Sequence, residues 1–199
     1  NNVDLQTQTL WGSIGWATPA TLGACLAKPK SRVILITGEG SHQLTAMEIG
    51  NMLRRNVKPV IIVLNNKGYT VERVLSDSPD DKFNDIMQMN YAKFARVFEG
   101  DVWSTKVTTA EDFDKALKVT QIMNKLCYIE ICTESMDMPK LTEEVIANLR
   151  NNTQKLANSS AQEQYCNDKK EEKQVFELKS DDVSFDYETV VHKGLEGME

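Results

Sequence analysis

Absences narrow the reading of this 199-residue chain before any motif does. Its four cysteines, Cys25, Cys127, Cys132 and Cys166, form no CxxC pair and have no histidine at zinc-ligand spacing, so reduced thiols are expected rather than a zinc module. A cytoplasmic setting is the expectation that follows. No apolar run approaches the roughly 20 residues that cross a bilayer, so no membrane span is expected. A basic stripe is also missing. Up to Arg150 the chain holds 17 basic and 18 acidic residues, and beyond it 6 and 11, so the net charge of −6 is carried by the C-terminal part and nucleic-acid binding is not expected. The two histidines, His42 and His192, are far apart in sequence. The first residue is Asn rather than Met, and no basic start or apolar stretch of a secretory signal follows; a fragment or a processed product is expected.

What is present is an alternation of strand and helix patterns. Residues 32–37 (RVILIT), 59–64 (PVIIVL) and 127–132 (CYIEIC) are short β-branched apolar runs of the kind buried on both faces of a parallel sheet. Between the first two, Leu44, Met47, Ile49, Met52 and Leu53 fall near one helical face, which predicts a crossover helix over 44–55. Thr109 is placed to cap a helix whose first turn carries Glu111 and Asp112. A helix over 14–27, with small residues on one side, is expected to open the chain. Such an alternation predicts an α/β domain with a doubly wound, mainly parallel sheet and helices on both faces, spanning 1–150. From 151 to 199 the apolar periodicity fades into a polar, acidic tail, expected to be helical in part and disordered in part.

In doubly wound sheets, ligands gather where strand carboxyl ends enter helices. Gly38-Glu39-Gly40-Ser41 ends the first predicted strand, and Asn65-Asn66-Lys67-Gly68-Tyr69-Thr70 ends the second. One crossover helix separates them, so adjacent parallel strands would set them side by side. Glycines let backbone approach a phosphate closely. Glu39 and the Asn66 side chain are hard oxygen donors of the kind magnesium takes along with phosphate oxygens. A diphosphate site bridged by a metal is the reading.

With those motifs in place, the chain resembles the thiamine-diphosphate-dependent 2-oxo acid decarboxylases of the pyruvate/indolepyruvate decarboxylase family. Their shared motif opens with GDG and closes with NN, and the blocks LWGSIGW (10–16), GEGSHQLTAMEIGNMLR (38–54) and VLNNKGYTVER (63–73) are similar to it in order and spacing. The resemblance implies that Glu39, the Asn66 side chain and the Gly68 carbonyl bind magnesium. It implies that the Gly40 amide and the Ser41 and Thr70 hydroxyls hold the diphosphate, with Ser13, Gly38 and Tyr69 completing the cofactor surface. Ile14 would wedge between the two cofactor rings, and the Gly12 carbonyl would accept a hydrogen bond from the exocyclic amine. Glu72 would face the substrate carboxylate as a general acid or electrostatic gate, which requires a largely apolar pocket, and Val71 and Leu75 would line that pocket. The implied reaction is decarboxylation of a 2-oxo acid to an aldehyde, with the cofactor as electron sink.

Two departures temper the resemblance. Glu39 stands where the family has Asp, which moves the carboxylate by about one C–C bond at a metal that demands close geometry. The acidic residue and paired histidines that activate the pyrimidine end belong to a separate domain, so the chain is expected to need a pyrimidine-binding partner, from another chain or a missing N-terminal region, and to form a homo-oligomer in the intact enzyme. An acetolactate-synthase-like carboligase half and a non-catalytic remnant or interaction module are the alternatives. His42 reads as packing rather than catalytic.

Overall fold

A computed structural model describes residues 3–76 and 78–157. The expectations on Cys166, His192 and the tail from 158 onward lie outside the described residues. Two compact units divide after Ile146, and the first of them carries the sheet.

That sheet has four parallel strands in the order β1-β2-β4-β3: β1 Ile34–Gly38, β2 Val60–Asn65, β3 Val102–Val107 and β4 Leu126–Cys132. Helix α1 is Ala17–Ala27, α2 Glu39–Gln43, α3 Glu48–Arg54, α4 Thr70–Leu75, α5 Tyr91–Phe94, α6 Ala110–Ile122 and α7 Lys140–Ala157, with a 3-10 turn at Lys82–Asn84. On one face Leu35, Ile61, Val63 and Tyr128 pack with Ile49 and Met52 of α3 and with α1 and α5. On the other, Val60, Ile62, Cys127 and Ile129 meet Phe113, Ala116 and Leu117 of α6. The doubly wound arrangement with helices on both faces is therefore present. The α6 face stops short of β1, where Ile34 and Ile36 are exposed beside their buried partners Val60 and Ile62.

Three expectations need correction. Of the crossover helix expected over 44–55, only α3 is helical; 44–47 form turns that join it to the separate short helix α2. The opening helix starts at Ala17, three residues later than its apolar text, because Gly15 takes φ +85°, outside helical space, and its amide and carbonyl are both bonded across to the α2 region. Strand β3 went unforeseen: Val102-Trp-Ser-Thr-Lys-Val107 mixes polar and apolar residues as an edge strand does. The Thr109 cap is as expected, its hydroxyl accepting from the Asp112 amide at 3.1 Å. Among the described residues no helix is long and apolar enough to cross a membrane.

Candidate functional site

Strands β1 and β2 are hydrogen-bonded neighbours in parallel register, with Gly38 opposite Leu64, so the loops that follow them emerge together. Glu39 is 1% exposed. A carboxylate so deep must be satisfied, and its Oε1 accepts the Gly68 amide at 2.6 Å. The extra methylene of Glu relative to Asp thus spans the gap between the two loops.

Asn66 closes the same cluster. One end of its amide lies 2.8 Å from the Gly68 carbonyl oxygen and 3.2 Å from Glu39 Oε2; the other lies 2.7 Å from Thr70 Oγ1. With nitrogen toward Glu39 and Gly68, the amide donates to both and its oxygen accepts from Thr70. With oxygen toward them, three acceptors converge with no proton between them. The Thr70 hydroxyl has one proton, and it lies 2.6 Å from the Ser135 carbonyl as donor. If that proton stays on Ser135, Thr70 cannot donate to Asn66. The first orientation satisfies the cluster by itself, and the second would need a cation among its oxygens. Oxygens in an octahedral magnesium shell of about 2.0 to 2.1 Å lie about 2.9 Å from their neighbours, so the donor set fits a hard divalent cation. Only one carboxylate is in it, and among the described residues no group of three or more His, Cys, Asp or Glu side chains gathers to hold a metal.

Around the cluster, Ser41 Oγ accepts the Gly15 amide at 2.9 Å, which leaves the hydroxyl proton free to donate. Thr45 donates to the Gly15 carbonyl at 2.8 Å. Together these dock the loop carrying Gly12, Ser13 and Ile14 beside α2. Gly40 is buried, and a Cβ there would lie 2.5 Å from the Tyr69 ring, so ring and glycine backbone are in close contact. Gly38 ends β1 with open space around its Cα. Val71, Glu72 and Leu75 project from α4 and are all exposed. Among the described residues the apolar pocket expected around Glu72 is not formed. Leu10, Trp11, Ile14 and Trp16 are exposed as well, by 86, 80, 52 and 37%.

Three groups escaped the motif reading. Asn65, the first of the paired asparagines, turns inward and donates to Glu130 Oε1 at 2.9 Å. Glu130, wholly buried, also accepts the Ala92 amide at 3.0 Å and pairs with Lys106 at 3.3 Å. Its signal was a lone acid within the apolar run Cys127–Cys132. Arg73 is the third, buried on the inner side of α4. His42 is fully buried, its Nδ1 bonded to Thr18 Oγ1 at 2.9 Å and its ring 5.7 Å from that of Tyr128. Burial lowers its pKa to about 4, so at neutral pH it is an uncharged packing residue.

Arabidopsis thaliana pyruvate decarboxylase 4 is 38% identical over 138 residues, covering 67% of this chain and 22% of its own. Saccharomyces cerevisiae pyruvate decarboxylase isozyme 1 is 40% identical over 147 residues, covering 70% and 26%. The solved Rhodococcus jostii RHA1 thiamine diphosphate-dependent 4-hydroxybenzoylformate decarboxylase superposes with a TM-score of 0.57 at 30% identity, covering 62% of this chain and 24% of that one. The chain thus spans about a quarter of the length of these relatives. A family model for the C-terminal TPP binding domain of thiamine pyrophosphate enzymes matches residues 2–131, and the chain belongs to that family.

Proposed function

We propose that the chain is the diphosphate- and magnesium-binding part of a thiamine-diphosphate-dependent enzyme that converts a 2-oxo acid to an aldehyde without oxidation. The observation that carries this reading is that Glu39 Oε2 and the Gly68 carbonyl both lie within 3.2 Å of the Asn66 amide at adjacent strand ends. Those groups would hold magnesium. The Gly40 amide and the free proton of Ser41 are placed for diphosphate oxygens, and Thr70 joins them once it releases Ser135. Bound there, the cofactor would supply the electron sink for loss of carbon dioxide. Glu72 would hold or deliver a proton at the substrate, with Val71 and Leu75 beside it on α4.

The exposed state of Glu72 and of the apolar group Leu10, Trp11, Ile14 and Trp16 supports a requirement for a second protein surface, since apolar patches of this kind usually mark interfaces. That surface would be a pyrimidine-binding domain, in another chain or in the remaining length of the protein, within a homo-oligomer. The three free cysteines of the described residues favour a cytoplasmic setting.

Calorimetric titration with thiamine diphosphate, with magnesium and again in excess chelator, tests the binding site. Binding that needs the metal is expected, and affinity unchanged by chelator would sink the reading. Aldehyde formation should appear only when a pyrimidine-binding partner is supplied; turnover by a strictly monomeric preparation, checked by sedimentation, would refute the assignment of a half-site.

A further inference from the structure

The loop Asn65–Thr70 owes its shape to more than Glu39. Lys67 sits at φ +63°, a left-handed conformation that a side chain other than glycine seldom adopts, and Gly68 follows at φ +136°. Such a pair holds only where neighbours over-determine it. Three bonds do so: the Gly68 amide to Glu39, the Tyr69 amide to the Asn84 carbonyl at 3.1 Å, and Arg73 Nη2 to the Lys67 carbonyl at 2.8 Å. Arg73 reaches back from α4 under the loop it follows. Its side chain is 9% exposed, and Nη2 also meets Asp85 Oδ1 at 2.8 Å. A Cβ on Gly68 would lie 2.5 Å from that same Nη2, so guanidinium and loop backbone are in close contact.

We propose that Arg73 is a positioning residue for the metal site: by gripping the Lys67 carbonyl it fixes the peptide turn that aims the Gly68 carbonyl at Glu39 and Asn66. Asp85 supplies the counter-charge, and through it the segment around Lys82–Asn84 is tied to the metal loop. The inference rests on the reading of Glu39, Asn66 and Gly68 as the metal ligands, and it adds a residue that binds none of the ligands' partners directly. Reach matters here, since Nη2 serves a carbonyl and a carboxylate at once, and a lysine ammonium, though it has three donors, sits on a shorter side chain.

Magnesium is titrated calorimetrically into the full chain with thiamine diphosphate in excess, for wild type, Arg73→Met, Arg73→Lys and Asp85→Asn. Amide hydrogen exchange is followed in the metal-free proteins. Residues that orient metal ligands typically change affinity about 10- to 100-fold when removed; Arg73→Met should weaken magnesium by that order, with Arg73→Lys and Asp85→Asn in between. Exchange at Gly68 should speed up while Ile129 in β4 keeps its wild-type protection, which a general loss of stability would not allow. Unchanged affinity and exchange in Arg73→Met overturns the proposal, and so does tighter binding, which would make the guanidinium a repelling charge. If Arg73→Met does not fold, the lysine and Asp85→Asn variants decide by the same readings. A wild-type chain that takes no magnesium refutes the metal-site reading instead, and the Gly68 exchange comparison then judges the grip of Arg73 by itself.

Discussion

The two ends of the sheet divide volume and chemistry between them. At the amino end, a cleft of about 330 Å³ opens between the end of α3, the turn before β3 and the start of β4. Its charged walls include Arg54, Lys58, Lys125 and Asp101, the last two paired at 2.5 Å on the surface. At the carboxyl end Glu39, Asn65, Thr70 and Glu130 are all buried and bonded to one another's loops. Buried, satisfied polar groups cost desolvation and constrain geometry. An open cleft lined by solvated charge does neither. The candidate site is therefore marked by buried charge rather than by the amino-end cleft.

The sharpest way to break this contrast is Gly68→Ala. A methyl there would lie 2.5 Å from Arg73 Nη2 and 2.6 Å from the Asn84 carbonyl oxygen, at a φ that disfavours any side chain. Strain of that kind costs about 1 to 3 kcal/mol, read by urea unfolding, and magnesium-dependent cofactor binding should be lost by calorimetry. Wild-type binding in this variant would mean that the loop is not held as described.

Acid should act next, at His42. His42 is uncharged at a pKa of about 4 in the folded chain against 6.5 when unfolded. Between those values the unfolded state binds more protons, so the stability His42 contributes is complete above pH 6.5 and is lost as the pH falls toward 4. The drop from pH 7 to pH 5 should be roughly 2 kcal/mol, and His42→Gln should flatten it relative to wild type. An equal slope in both would remove His42 from the account.

Glu39→Asp comes third. Shortening the side chain withdraws Oε1 from the Gly68 amide, so metal-free stability should fall by about 1.5 kcal/mol, the lower range for a hydrogen bond to a charged group. Magnesium affinity should stay equal or rise, because the Asp restores the carboxylate length of the family motif. A clear loss of affinity would show that the loop is built around Glu. Smallest of all, Arg54→Ala at the amino-end cleft should shift stability within about 0.5 kcal/mol, as exposed sites do, and leave cofactor binding unchanged; a loss of binding there would erase the distinction between the two ends.

How much of this was legible beforehand depended on periodicity and on local motifs. The strands β2 and β4 were plain because a parallel strand covered on both faces is uniformly apolar, and β1 shares that composition although one of its faces is exposed, whereas β3 at the other edge carries Ser104 and Lys106 and reads as neither strand nor helix. The meeting of Glu39, Asn66 and Gly68 was legible because the three fall within two short motifs. Arg73 and Glu130 were not, since each works through a contact set by chain folding: Arg73 bends back on the loop before it, and Glu130 meets Asn65 from 65 positions away. Nor could sequence tell that Glu39 already spends one oxygen on a backbone amide. The same acidic side chain that looked like a defect in the motif is a strut across it.

The neighbouring asparagines carry a further lesson in length rather than in chemistry. Asn65 and Asn66 are identical side chains sent to opposite sides by the pleat, one to Glu130 inside the sheet and the other to Glu39 at its rim. Removing a single residue in β2 would bring Asn66 to the inward place and Lys67 to the rim, and inserting one would bring Asn65 to the rim and another residue inward, since a one-residue slip turns every side chain of a strand over. Either way one of the two places loses its asparagine, and the Gly68 carbonyl is carried one position out of reach. Change by insertion or deletion is thus closed to Val60–Asn65, even where substitution is tolerated.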